Sequence, residues 1–149
     1  LINGDVTIEK GEIISGRFVF DMTSIKVLDI KDKKWNKKLE QHLKKDDFFG
    51  VNFYPKAVFD FKIATPIKGA KAGEPNYHFK GDLTLKGITH ALDFDAYVEL
   101  KKSRAYASGQ IIVDRTKYNI RYKSNKFFDG LGDKTIYDEF LITFSVQTK

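Results

Sequence analysis

The sequence predicts an all-β fold: an antiparallel barrel interrupted by one short amphipathic helix, in a single domain over residues 1–149. Three observations predict it. Apolar and polar residues alternate with period two through most of the chain. The connections between the runs are mostly short and turn-rich, as antiparallel neighbours require. Only from Asp32 to Lys45 do apolar residues recur at helical spacing instead.

Taken in order, Val6 and Ile8 precede a turn at Glu9-Lys10-Gly11-Glu12. Ile14, Gly16, Phe18, Phe20 and Met22 then face one way, and Ser15, Arg17 and Asp21 the other. In the helix, Trp35, Leu39, His42 and Leu43 share a face and lysines fill most other positions. It spans about ten residues, with Asp32 or Asn36 as candidate N-cap, and it ends before Pro55. Ala57, Phe59, Phe61 and Ile63 alternate with Lys56, Asp60 and Lys62. Tyr77, Phe79, Gly81, Leu83 and Leu85 follow, then a hairpin turn at Gly87-Ile88-Thr89-His90. Leu92, Phe94, Ala96, Val98 and Leu100 form the next run, opposite Asp93, Asp95 and Glu99. Ala105, Ala107, Gly109, Ile111 and Val113 form another, leading to a short helical turn at Asp114–Asn119 and a long loop at Lys123–Lys134. The last run is Ile136, Phe140, Ile142, Phe144 and Val146. These make about seven strands, each with one apolar face to hide. A second sheet or closure into a barrel would hide it. Long strands and meander-like hairpins favour the barrel.

Composition narrows the function. The 149 residues are 42% hydrophobic, with thirteen Phe, seven Tyr and one Trp, which excludes disorder. With no Cys, disulfides, zinc-thiolate sites, iron–sulfur clusters and cysteine nucleophiles are excluded. No apolar run reaches the roughly 18–20 residues of a spanning helix. Leu1–Asp5 lacks the basic start and apolar stretch of a signal peptide. Net charge is +6, and Lys31–Lys45 holds most of it, with seven Lys against Asp32 and Glu40. A uniformly basic nucleic-acid binder is not expected. The lysine-rich helix is either a solvated face or a docking face for anionic lipid.

Catalytic signatures such as a P-loop, G-x-S-x-G, G-x-G-x-x-G or H-E-x-x-H are absent. His42, His78 and His90 are scattered over a helix, a strand and a turn, and no metal site is expected. Asp93 and Asp95 read as a solvent face. The unusual feature is the inward face, where Phe18, Phe20, Phe59, Phe61, Tyr77, Phe79, Phe94, Phe140 and Phe144 point together. They form either a filled core or a barrel interior just wide enough for one small apolar ligand.

Four segments in order carry a resemblance over about Gly4 to Val146. His42-Leu43-Lys44-Lys45-Asp46-Asp47-Phe48-Phe49 with Tyr54-Pro55-Lys56-Ala57-Val58-Phe59 resembles the HL-x-x-x-x-FF…YP-x-A-x-F signature of the YceI-like family. Gly81–Thr89 resembles its G-x-L-T hairpin, Phe20–Ile25 its strand into the helical insert, and Val113–Tyr118 its R-x-x-aromatic turn. Phe127–Asp133 is similar to the loop of Bacteroidetes-type members. The resemblance implies a lipocalin-like, eight-stranded antiparallel barrel holding a polyisoprenoid or similar amphiphile, without chemistry of its own, in an exported, commonly periplasmic, bacterial protein. Family members usually begin with a further strand. Seven are visible here, so either the first precedes residue 1 or the barrel is open at an edge, where another copy could pair.

The expected ligand-binding residues are Phe18, Phe20, Phe59, Phe61, Phe79, Phe94, Ile111, Phe140 and Phe144 along the apolar chain, with a polar head near His42, Arg115 or Tyr118. No cofactor is expected beyond a bound polyisoprenoid or fatty-acid-like ligand. The expected partners are that lipid and, through Lys31–Lys45, an anionic membrane surface, with a homodimer possible and no nucleic acid. The rival readings are a barrel enzyme on a lipid-like substrate, which would need an inward carboxylate or His, and a partner-binding module.

Overall fold

A computed structural model describes residues 1–101 and 104–148. Seven antiparallel strands form one sheet in chain order: β1 (Asn3–Glu9), β2 (Glu12–Asp21), β3 (Lys56–Pro66), β4 (Tyr77–Leu85), β5 (Ile88–Lys101), β6 (Arg104–Asp114) and β7 (Glu139–Gln147). The sheet curls into an incomplete barrel whose inner face is the core, and β1 and β7 are its edges among the described residues. Chain order puts every second connection at the same end. The end that holds the β2–β3, β4–β5 and β6–β7 connections carries nearly all the non-strand structure.

At that end the helix α1 runs Lys33–Lys44. Asp32 is its N-cap, accepting from the backbone N–H of Lys34 and Trp35 at 2.9 Å, an interaction worth about 1 kcal/mol. Asn36 is not the cap. Its Nδ2 donates to the carbonyls of Val27 (2.7 Å) and Ile30 (3.1 Å), which ties the preceding loop to the helix. The β4–β5 hairpin turns on Lys86-Gly87, with φ of 51° and 73°, so Ile88 and its successors already belong to β5.

Period two fails at two bulges. Thr7 pairs with Ser15 but Ile8 pairs with Ile13, so Ile13 is buried and Ile14 is turned out. On β3 the register shifts between Phe61 and Ile63, which exposes Ile63 and brings Ala64 against the core. Both corrections have one cause: an extra residue reverses the side-chain phase downstream of it.

Candidate functional site

The inner face of the sheet bounds a cavity of about 430 Å³, within the range of roughly 300–1,000 Å³ typical of ligand pockets. Its lining runs from Val6 and Phe18 at one edge of the sheet, across Phe59, Phe79 and Phe94, to Phe144 and Val146 at the other. Among the described residues, none of its lining side chains is Asp, Glu, His, Lys or Arg; Tyr106, Gln147 and Thr148 supply its polar groups.

The rings touch one another yet leave the centre open. Phe61 lies edge-on to Phe79 at 5.1 Å between ring centroids, Phe59 meets Phe94 at 5.3 Å, and Phe94 meets Phe144 at 5.7 Å. Phe79 stacks on Phe94 at 5.5 Å. Such pairs contribute about 0.5–1.5 kcal/mol each beyond area burial. The register explains why the rings lie along the wall. Gly4 stands opposite Phe18, Gly16 and Gly81 flank Phe61, and Gly109 stands opposite Phe144. A Cβ at Gly4 would meet the Phe18 ring at 2.7 Å, one at Gly81 the Phe59 ring at 2.8 Å, and one at Gly109 the Phe144 ring at 3.0 Å. Each glycine leaves room for a ring to lie flat on the sheet instead of projecting inward.

One end of the hollow is closed by the residues after α1. Phe49 lines the cavity and meets Phe140 edge-on at 6.1 Å, while Phe48 is buried behind it against Tyr122. Met22 and Ile25, from the β2–α1 connection, complete the wall here. Lys86 reaches the backbone carbonyl of Asp46 and closes the layer from the hairpin side. Burial lowers its ammonium pKa, opposed by the charges of Asp46 and Asp47.

All nine residues expected to hold the apolar chain line this cavity: Phe18, Phe20, Phe59, Phe61, Phe79, Phe94, Ile111, Phe140 and Phe144. His42, Arg115 and Tyr118 do not. Arg115 is 3% exposed, and its guanidinium donates to the carbonyls of Ile120 (2.8 Å), Ile136 (2.9 Å) and Tyr137 (2.9 Å) and to Asp138 (3.3 Å). Burial lowers its pKa, with Asp138 and Asp114 opposing. It is a clamp on the β6–β7 loop, with its donors already engaged. Tyr118 is buried against His90, which raises its phenol pKa. His42 packs edge-on to Tyr122 at 4.6 Å and pairs with Asp47 at 3.0 Å. His78 pairs instead with Asp95, and His90 with the Lys117 carbonyl, so the three histidines hold separate places.

Sequence reasoning missed two kinds of lining residue. Val6, Leu83, Leu85, Leu92, Ile142 and Val146 lie on the inward phase of their strands and could have been named with the phenylalanines. Phe49 was not missed: the sequence reads Phe48 and Phe49 as a plug for one end of the barrel, and Phe49 lines the cavity there. Ile25 stands in an irregular connection where no periodicity could point to it.

Comparison with known proteins supports this architecture. Residues 1–148 match the YceI-like domain. A UPF0312 protein of Staphylococcus aureus is 30% identical over 90 residues, 56% of this chain and 47% of that one, so the match spans about half the length of that relative. Burkholderia cenocepacia BcnA has a crystal structure similar to 99% of this chain and 83% of its own, at TM-score 0.69 and 22% identity. The Campylobacter jejuni YCEI protein is similar over 99% of this chain and 81% of its own, at TM-score 0.65 and 18% identity. A mutant of it, crystallised with a monobromobimane guest, is similar over 98% and 79%, at TM-score 0.69 and 16% identity. At such identities these structures establish the lipocalin-like fold alone.

Proposed function

The chain belongs to the YceI-like family, and from that premise we propose that it carries one long apolar amphiphile, a polyisoprenoid or a similar lipid, inside the barrel. The observation that carries this is the hollow itself: about 430 Å³ ringed by phenylalanines, with no Asp, Glu, His, Lys or Arg side chain in its lining among the described residues. An apolar chain entering it gains about 25 cal/mol for each Å² withdrawn from water, and few polar contacts are needed to hold it. The same lining argues for binding over chemistry, since a barrel enzyme would need an inward carboxylate or His. An exported bacterial protein fits the reading, as such a lipid is drawn from a membrane, and the Phe127–Asp133 loop fits a Bacteroidetes-type member.

Native mass spectrometry of the protein as expressed, followed by solvent extraction and lipid identification, tests the proposal. The expected result is a bound apolar molecule that is lost in Phe61→Asp and Phe94→Asp, with circular dichroism confirming that each variant folds. A folded protein that arrives empty and takes up no long-chain alcohol would overturn it.

A second reading has one observation in its favour. Among the described residues β1 and β7 are edges, and edge strands pair readily with other chains. Strand pairing between two copies would appear as a dimer mass by light scattering, and a monomer at all concentrations would exclude it.

A further inference from the structure

The barrel has two unlike ends. At one, the β2–β3 connection holds eight Lys against five carboxylates (residues 22–55), and the β6–β7 connection six Lys or Arg against three (residues 115–138). The same two connections expose Leu28, Trp35, Phe53, Phe127, Phe128 and Tyr137. At the other end, the described connections, residues 10–11 and 67–76, expose no large apolar side chain. Solvated loops are ordinarily polar, so bulky apolar groups among cations need a reason.

The helix α1 concentrates both features. Every residue in it keeps some exposure, although its apolar residues fall on one face. Leu43 packs against the core. Trp35, one turn from the N-terminus, is 58% exposed, and the Lys38 ammonium rests over its ring at 4.6 Å. Lys38 and Lys34 follow it on one side of the wheel, about 60° and 100° away, while Lys33 and Lys37 lie on the far face of the helix, and all four are exposed. Leu28, in the loop before the helix, is 89% exposed. A short helix with a basic face and an exposed Trp suits a bilayer interface, where the indole sits at head-group level and lysines reach phosphates. This helix is also tied to the cavity. Ile25 lines the hollow, and the carbonyls of Val27 and Ile30 just beyond it accept from Asn36 of α1.

We propose that this end of the barrel docks on an anionic lipid bilayer through α1, with Trp35 and Leu28 at the interface and Lys34 and Lys38 on lipid phosphates, so that the wall at Met22 and Ile25 faces the membrane. The docking stands without a cargo. Its use for loading and unloading rests on the carrier reading.

Trp35 is the only Trp in the chain, so its fluorescence reports this surface alone. The full chain is mixed with vesicles of phosphatidylcholine, with or without phosphatidylglycerol, some containing brominated phosphatidylcholine. On phosphatidylglycerol vesicles Trp35 emission shifts to the blue and is quenched by the brominated lipid. Both effects fade as salt rises from about 0.1 M to about 1 M, which shortens the screening length from ~10 to ~3 Å. The pair Lys34→Gln and Lys38→Gln lowers partitioning by about twenty-five-fold, about five-fold for each lysine. Lys68→Gln with Lys71→Gln, at the opposite end, leaves it unchanged. Absent quenching, equal response to pure phosphatidylcholine, or equal losses from the two lysine pairs would each overturn the docking. A vesicle-free titration with a fluorescent fatty-acid analogue separates the two readings. Probe uptake in that titration without a Trp35 response to the vesicles sinks the docking alone, whereas a Trp35 response to the vesicles without probe uptake sinks the carrier alone.

Discussion

Gly16→Ala tests whether glycines hold the cavity open. A Cβ at this position would press on the Phe61 ring, with Cζ at 2.7 Å, and on the Asp5 carbonyl at 2.9 Å. Ordinary carbon contacts lie near 3.5–4.0 Å, so the ring must move by about 1 Å. Its flanks are taken: Gly81 lies on the other side beneath the Phe59 ring, and Phe79 stands 5.1 Å away, edge-on. The free direction is the hollow. Overpacking of this kind costs about 1–3 kcal/mol, offset by about 0.5–1 kcal/mol for Ala over Gly in a strand. The net loss should be about 1–2 kcal/mol, read from urea unfolding by circular dichroism. A ring shifted into the cavity displaces one or two methylenes of a guest at about 0.8 kcal/mol each, so affinity for a fluorescent fatty-acid analogue should fall about four- to fifteen-fold. Adding Phe61→Leu returns the space and should recover most of that affinity. Lost stability with undiminished affinity, or no recovery in the double variant, would refute the idea that these glycines keep the rings on the wall.

Arg115→Ala should cost about 3–5 kcal/mol, because it leaves three carbonyls and Asp138 without their shared donor, and it should leave probe affinity unchanged because Arg115 does not line the cavity. A folded variant that loses the probe instead would restore the head-group role expected from the sequence. Gly87→Ala should cost about 1–3 kcal/mol by urea unfolding, since φ is +73° and its Cβ would meet Tyr54 Cε1 at 2.7 Å. Asp114→Asn should destabilise the protein by about 2 kcal/mol at pH 7 and by progressively less in acid. Burial works to raise the Asp114 carboxyl, but hydrogen bonds from Thr116 and Lys126 outweigh it and hold the pKa at about 2. A folded pKa below the ordinary 3.8 means the stabilisation is whole above that pH and disappears as pH falls towards 2. Parallel pH–stability curves for the two proteins would contradict it.

How much of this was legible in the sequence follows from what kind of contact each feature needs. Strands that bury one face write their orientation into the residue order, so the nine cavity residues could be named without coordinates. The N-cap at Asp32 was legible for the same reason, being a contact within three residues, although the choice over Asn36 needed the loop that Asn36 ties down. The bulges were not legible. Ile13 and Ile14 are chemically identical, and only the pairing of Ile8 with Ile13 decides which one turns inward. Arg115 shows the same limit at longer range: three of its four acceptors lie 21 to 23 residues away, so the residue that looks free to meet a ligand is consumed by a loop. The hollow is the furthest case. Phenylalanines alone predict a filled core as well as an empty one. What separates the two outcomes is that Gly16 and Gly81 stand beside Phe61 while Gly109 stands beside Phe144. Each partner comes from a different strand, so the space exists in the register and becomes visible only when the strands are paired.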